Sequence, residues 1–187
     1  MKEIAALYVR NDSVYKEYPI IDCYDIDRDA RTFKGGMPVI AHPPCRAWGK
    51  LKAFAKPRSG EKELALHAVQ VVRENGGVLE HPSGSSLFGT ILPRPGKMDE
   101  WGFTLSVNQF WFGHKAQKKT YLYIVGIKPH GIPEYPISFD LPTHGVSRTK
   151  NLKEISKADR ERTPRMFAEW LIETAILIKG INLPFDF

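Results

Sequence analysis

Apolar residues in this chain come mostly in short runs, each closed by a turn-forming residue. Ile4 to Val9 and Ile20 to Tyr24 each read as a strand, the second ending in the acidic pair Asp25 and Asp27. Met37 to Ala41 is continuously apolar, the pattern of a strand buried on both faces. It runs directly into His42-Pro-Pro-Cys45, where two prolines must end the ladder. From Glu61 to Glu74 the residues Leu64, Ala68, Val71 and Val72 recur on one helical face, and Asn75-Gly76-Gly77 supplies the stop. Gly77 to Glu80 is a short strand followed by Pro82, and Tyr121 to Val125 is a clear strand. Thr163-Pro164 opens a last helix whose face holds Phe167, Trp170, Leu171, Thr174 and Ile178, closing at Gly180. Residues 49–60 and 83–100 read as loops, Gln109 to Gly113 as an aromatic stretch, and 127–160 as irregular. Trp101, Trp170 and the C-terminal aromatics are assigned to the core.

Strands alternating with helices predict an α/β fold with a mostly parallel sheet. A length of 187 residues suits one core, so a single domain over 1–187 is expected. No apolar stretch is long enough to span a bilayer, and residues 1–15 carry no signal-peptide pattern, so the expectation is a soluble cytoplasmic protein without a membrane partner. The two cysteines, Cys23 and Cys45, read as reduced thiols. A net charge of +6 favours a polyanionic partner, because each phosphate neutralised releases counterions.

Cys45 and Glu80 each stand just beyond an apolar strand, at the sheet edge where open α/β folds bind ligands. The 35 residues of spacing leave room for one crossover helix, so the two side chains are expected on neighbouring strands, facing one crevice. A thiol and a carboxyl placed together suit attack on a pyrimidine. The thiolate adds to C6, the carboxylic acid protonates N3, and C5 becomes nucleophilic. Such chemistry needs the base out of its stack, with aromatic and cationic groups around it. Arg46, Trp48 and Lys50 beside the cysteine fit that need.

A family resemblance rests on four segments in order. Val39-Ile-Ala-His-Pro-Pro-Cys-Arg-Ala-Trp48 resembles the Pro-Cys-Gln loop of the DNA cytosine-5 methyltransferases, whose cysteine is the nucleophile. Gly77-Val-Leu-Glu-His-Pro82 is similar to their Glu-Asn-Val segment, whose glutamate holds the cytosine. Gly113 to Gly126 is similar to their Gln-x-Arg-x-Arg strand, with Gln117 at the glutamine and Lys119 at the first arginine. Asp25-Ile-Asp-Arg-Asp-Ala30 is similar to the acidic segment that binds the ribose of S-adenosylmethionine. The resemblance implies a trimmed, Rossmann-like methyltransferase domain. It implies Cys45, Glu80, Gln117 and Lys119 as catalytic residues, Asp25 and Asp27 as cofactor ligands, S-adenosylmethionine as cofactor and DNA as partner. The compact form resembles what a bacteriophage or prophage would encode in a bacterial host.

The departures are specific. The first strand leads to Arg10-Asn-Asp-Ser-Val-Tyr15 and not to the family's glycine-rich cofactor loop. Only 20 residues separate Asp25 from Cys45, too few for the strand usually found between them, and 127–160 is too short for the usual target-recognition domain. Arg46, His81 and Tyr121 replace the family's residues at their positions. Two further readings therefore stand beside the enzyme. One is a non-catalytic nucleic-acid or nucleotide-binding module on the same fold, and the other is an enzyme of free pyrimidine nucleotides.

His42, His81 and His114 lie at strand ends near the matched segments and with Cys45 are candidate zinc ligands, although the close ligand pairs of a zinc finger are missing. Lys50, Lys52, Lys56 and Arg58 in one loop, and Lys115, Lys118 and Lys119 in another, read either as solvated loops or as a phosphate-contacting rim. Phe54, Trp111 and Phe112 are candidate stacking partners there.

Overall fold

Alternation along the strands splits the core into two. In the computed structural model, which describes residues 1–50, 52–146 and 152–180, strand β1 (Ile4–Leu7) sends Ile4 and Ala6 into one apolar cluster. Its Ala5 and Leu7 enter the other. The same division holds in β3 (Val39–Ala41), where Ile40 faces one cluster and Val39 and Ala41 the other. A strand buried on both sides needs a layer over each face, and two helices provide them. Helix α1 (Glu61–Asn75) lays Ala65, Ala68, Val69 and Val72 on one face. On the other face, α3 (Arg165–Lys179) lays down Phe167, Trp170, Leu171 and Ala175; α2 (Lys157–Glu161) is a single short turn before it.

The sheet has six strands in the order β2-β1-β3-β4-β6-β5, with β2 at Ile21–Tyr24, β4 at Gly77–Pro82, β5 at Gly102–Asn108 and β6 at Lys119–Val125. Pairings β2–β1, β1–β3 and β3–β4 are parallel, whereas β6 is antiparallel to both β4 and β5. One strand in six thus runs against the others, and the sheet is mostly parallel as expected. Chain order reverses between β1 and β3, which places a topological switch point there.

Glycine is required where β3 and β4 meet. At Gly77, with φ of +129°, a β-carbon would stand 2.0 Å from the Val39 carbonyl oxygen. The predicted Asn75-Gly76-Gly77 stop is therefore also the point where the chain enters the sheet.

Strand β5 goes beyond the expectation from sequence, which covers 83–100 as loop and resumes at Gln109. Its Phe103 and Val107 are buried against the α3 layer, while Ser106 is exposed. Trp101 is also unlike its expectation. It is 46% exposed and lies under the Arg73 guanidinium, 3.9 Å from the ring centre, whereas Trp170 is in the core. The irregular reading of 127–160 gives way to a 3-10 turn, Pro129–Gly131, the two-residue pair β7 (His144–Gly145) and β8 (Lys153–Glu154), and α2. Residues 147–151 of that stretch, and the C-terminal aromatics Phe185 and Phe187, lie outside the described residues. Among the described residues no helix is long and apolar enough to cross a membrane.

Candidate functional site

Parallel register decides what meets at the upper sheet edge. Ala41 pairs with Leu79, so the next residues along, His42 and Glu80, stand side by side. The His42 amide still bonds to the Leu7 carbonyl at 3.0 Å, which holds the residue in line although Pro43 and Pro44 end the strand. His42 Nδ1 lies 3.3 Å from Glu80 Oε2, and His42 Nε2 lies 3.1 Å from the hydroxyl of Tyr15. Tyr15 arrives from the 3-10 turn Val14–Glu17 and is fully buried.

The other carboxylate oxygen is held from the opposite side. Gln109 opens a 3-10 turn after β5, capped by the Asn108 side chain. Its Nε2 donates to Glu80 Oε1 at 3.0 Å and to Thr120 Oγ1 at 3.0 Å, while its Oε1 is buried without a protein partner. Glu80 thus has a fixed orientation, with both oxygens engaged by groups from β3 and from the β5–β6 connection.

Cys45 sits half-buried after the two prolines. Its carbonyl accepts from the Trp48 and Gly49 amides at 3.1 and 2.8 Å, which closes a tight turn. Next to Glu80 on β4, His81 is fully buried, and its Nδ1 pairs with Ser85 Oγ at 2.7 Å. Burial pushes the His81 ring towards its neutral form, against the pull of the Glu80 charge.

The protonation states follow from these surroundings. Burial raises the Cys45 thiol above its ordinary value, the Glu80 charge raises it further, and Lys118 opposes both. Burial alone would raise Glu80 too. The His42 hydrogen bond and the positive charge of Lys118 outweigh it and bring the carboxyl down to about 2. At neutral pH the pair is therefore a thiol beside a carboxylate, with one proton between them. Burial, then the Glu80 charge, keeps the Tyr15 hydroxyl protonated as well.

Other residues singled out by sequence are placed elsewhere. Asp25 accepts from the Asp27 and Arg28 amides and from Lys16 Nζ at 2.5 Å, and Asp27 accepts from Asn11 at 2.9 Å. Lys16 and Asn11, both from the β1–β2 connection, thus occupy the two carboxylates expected to face a ribose. Arg46 turns away from Cys45 to the buried carboxylate of Glu61, with contacts of 2.7 and 2.8 Å. Trp48 is not a stacking surface but part of the α1-side core, its Nε1 bonded to the Lys62 carbonyl at 3.1 Å. Phe112 is likewise buried, against Phe167 and Trp170, while Phe54 is exposed. Lys50 packs its aliphatic stem on Gly84, Lys52 reaches Ser86 at 3.3 Å, and Lys115 pairs with Asp159 at 3.4 Å.

Gln117 and Lys119 are exposed, and the groups that touch Glu80 are Gln109 and His42. Lys118, between them, is the lysine close enough to act on both Cys45 and Glu80. His114 is buried with Nδ1 against the Ala116 backbone. Among the described residues no group of three or more His, Cys, Asp or Glu could hold a metal ion.

Tyr15, Gln109 and Thr120 are the site residues that sequence reading misses. The one available signal is Gln109, a single amide heading the aromatic run Phe110-Trp-Phe112. No family model matches this sequence, and no curated protein matches it.

Proposed function

We propose that this protein modifies pyrimidines in DNA by adding the Cys45 thiol to C6 of a cytosine turned out of its stack, with Glu80 at the N3 edge. The observation that carries the reading is His42 bonded to Glu80 at the C-terminal ends of two adjacent parallel strands, beside the switch point of the sheet, with Cys45 on the following turn near enough to feel the Glu80 charge. The strand order β2-β1-β3-β4 supports it, being that of a doubly wound sheet from which one edge strand is missing. Exposed basic residues of the loop after Cys45, among them Lys56 and Arg58, suit a phosphate backbone.

The protonation states make a balanced first step. The sulfur–C6 bond forms, the C5–C6 π pair shifts to C4–C5, the C4–N3 π bond opens onto N3, and the proton leaving the thiol ends on N3 by way of the Glu80 carboxylate. C5 is then electron-rich enough to take a proton from water. Elimination of sulfur with loss of the C5 and N3 protons restores the ring.

S-Adenosylmethionine does not fit this chain as its electrophile donor. Asp25 is engaged by Lys16 and by two backbone amides, and in place of a glycine loop β1 ends at Tyr8, a non-glycine residue at φ +61°. The same engagement of Asp25 favours a second reading, a DNA- or nucleotide-binding module that keeps the base pocket without turnover.

Solvent exchange separates the two. Thiol addition makes the C5 hydrogen of cytosine exchange with deuterium from water, with no cofactor required. Time-dependent deuterium uptake at C5 in a cytosine-containing oligonucleotide, lost in Cys45→Ser, is the expected result. Tight binding of the oligonucleotide with no uptake would establish the binding module instead. Exchange on free cytidine nucleotides, with little dependence on salt, would shift the substrate from polymer to nucleotide.

A further inference from the structure

We propose that His42 is a positioning residue that sets the proton on Glu80, and that Tyr15 fixes which nitrogen of the His42 ring faces the carboxylate. The catalytic consequence rests on the pyrimidine reading above; the proton arrangement itself does not.

Three groups from three separate elements lie in one line. The fully buried Tyr15 hydroxyl is 3.1 Å from His42 Nε2, and His42 Nδ1 is 3.3 Å from Glu80 Oε2. An ionised carboxylate only accepts hydrogen bonds, so the nitrogen facing it must carry the proton. In the neutral ring Nε2 is then an acceptor, and the Tyr15 hydroxyl is the donor it meets. A tautomer change would set two acceptors against each other at Glu80, and a ring flip would withdraw both nitrogens from their partners. The tilted stacking of the two rings, with centres 5.5 Å apart, further restricts His42.

The charged and titratable groups facing Glu80 are His42 from the end of β3, Lys118 from the approach to β6, His81 beside it on β4, Cys45 from the proline turn, and Tyr15 behind His42. Lys118 acts through charge. His42 bonds directly to the carboxylate, as does the neutral Gln109 amide. A donated N–H stabilises the carboxylate, so once Glu80 has taken the thiol proton it is a strong acid and passes that proton to N3 readily. Without the donor, burial would raise the carboxyl and leave it a weaker acid towards N3. Sequence reading offers His42 as a candidate metal ligand or as a hydrogen-bond partner for phosphate or a base. The geometry points to a proton-setting role.

Two measurements test this. In protein carrying ¹⁵N-labelled histidine, the ring signals of His42, recorded where the ring is neutral, should show Nδ1 protonated and Nε2 bare, and Tyr15→Phe should shift the Nε2 signal, whose hydrogen-bond donor is lost. The Glu80 carboxyl, followed by ¹³C, should titrate at clearly higher pH in His42→Ala than in the wild type. His42→Asn, which keeps an N–H at the Nδ1 position, should restore most of the difference. In the C5-exchange assay, His42→Ala should fall by about 10²-fold with the acid limb of its pH profile moved upward, and His42→Asn should stay within about tenfold of wild type.

Thermal unfolding of each variant identifies any that fail to fold, and the ¹⁵N pattern of the wild type needs no variant. A wild-type His42 protonated at Nε2 and bare at Nδ1, or a Glu80 titration unmoved in folded His42→Ala, would overturn the proposal. If the wild type shows no C5 exchange, the pyrimidine reading fails alone, and the two NMR measurements still decide the role of His42.

Discussion

The Gln109 amide donates to Glu80 Oε1 at 3.0 Å and to Thr120 Oγ1 at the same distance, so one buried side chain ties the β5–β6 connection to β4. Gln109 is 1% exposed, and a hydrogen bond to a charged group in such a place contributes about 1.5–3 kcal/mol. Gln109→Leu should therefore lower the urea unfolding free energy at pH 7 by about 2 kcal/mol. Gln109→Glu should cost more, since it sets a second carboxyl against the first. A variant as stable as wild type would show that this contact does not organise Glu80.

Glu80 links stability to pH in a definite direction. Its folded value lies below the ordinary 4.5, so the native state releases this proton more readily than the unfolded chain. The stabilisation is complete above about pH 5 and is lost as pH falls from there towards 2. Wild type should accordingly lose more stability than Glu80→Gln over that interval, in unfolding titrations run at several pH values. Parallel curves for the two proteins would exclude the linkage.

Cys45 should be a slow thiol until something binds. Burial and the neighbouring carboxylate both raise it, so alkylation by iodoacetamide at pH 7 should be slower at Cys45 than at an unstructured cysteine peptide. Glu80→Gln removes the negative charge and should speed the reaction, whereas Lys118→Ala removes the opposing positive charge and should slow it. Peptide mass spectrometry reads Cys45 apart from Cys23.

Arg46 and Glu61 form an unequal pair, the arginine side chain 46% exposed and the carboxylate 3%. Arg46→Ala strands a buried charge that keeps the Arg58 amide, which donates to Glu61 at 2.7 Å. A fully buried pair broken this way costs ~3–5 kcal/mol, and solvent around Arg46 reduces that to about 2 kcal/mol. The double variant Arg46→Ala with Glu61→Gln should recover part of the loss, as chemical denaturation would show.

How much could be read in advance depended on whether the signal was local. The strands at Ile4, Ile20, Met37 and Tyr121, and both long helices, announce themselves through unbroken apolar runs or a 3.6-residue period with glycine stops. The juxtaposition of positions 42–45 with Glu80 was also legible, because parallel strands joined by one helix bring their C-terminal ends together. Strand β5 carries a local signal too, Phe103, Leu105 and Val107 alternating with Thr104, Ser106 and Asn108 as in a half-buried strand, although the expectation left 101–108 unassigned.

Partners from distant turns were not legible at all. Tyr15 reaches His42 across 27 residues and Gln109 reaches Glu80 across 29, and no local pattern encodes such a meeting. Trp48 shows the converse. Beside a cysteine and two basic residues it read as a stacking ring, yet the tight turn after Cys45 rotates it onto α1.

Covalent trapping tests the central claim most directly. Duplex DNA carrying 5-azacytosine presents a ring that is attacked at C6 and then protonated at N5, so the sulfur–carbon bond persists. Wild-type protein, with no cofactor added, should give a complex that survives denaturing electrophoresis, with the DNA mapped to Cys45 by mass spectrometry and no complex in Cys45→Ser. DNA that binds but leaves Cys45 unmodified after prolonged incubation would contradict a nucleophilic role for the thiol.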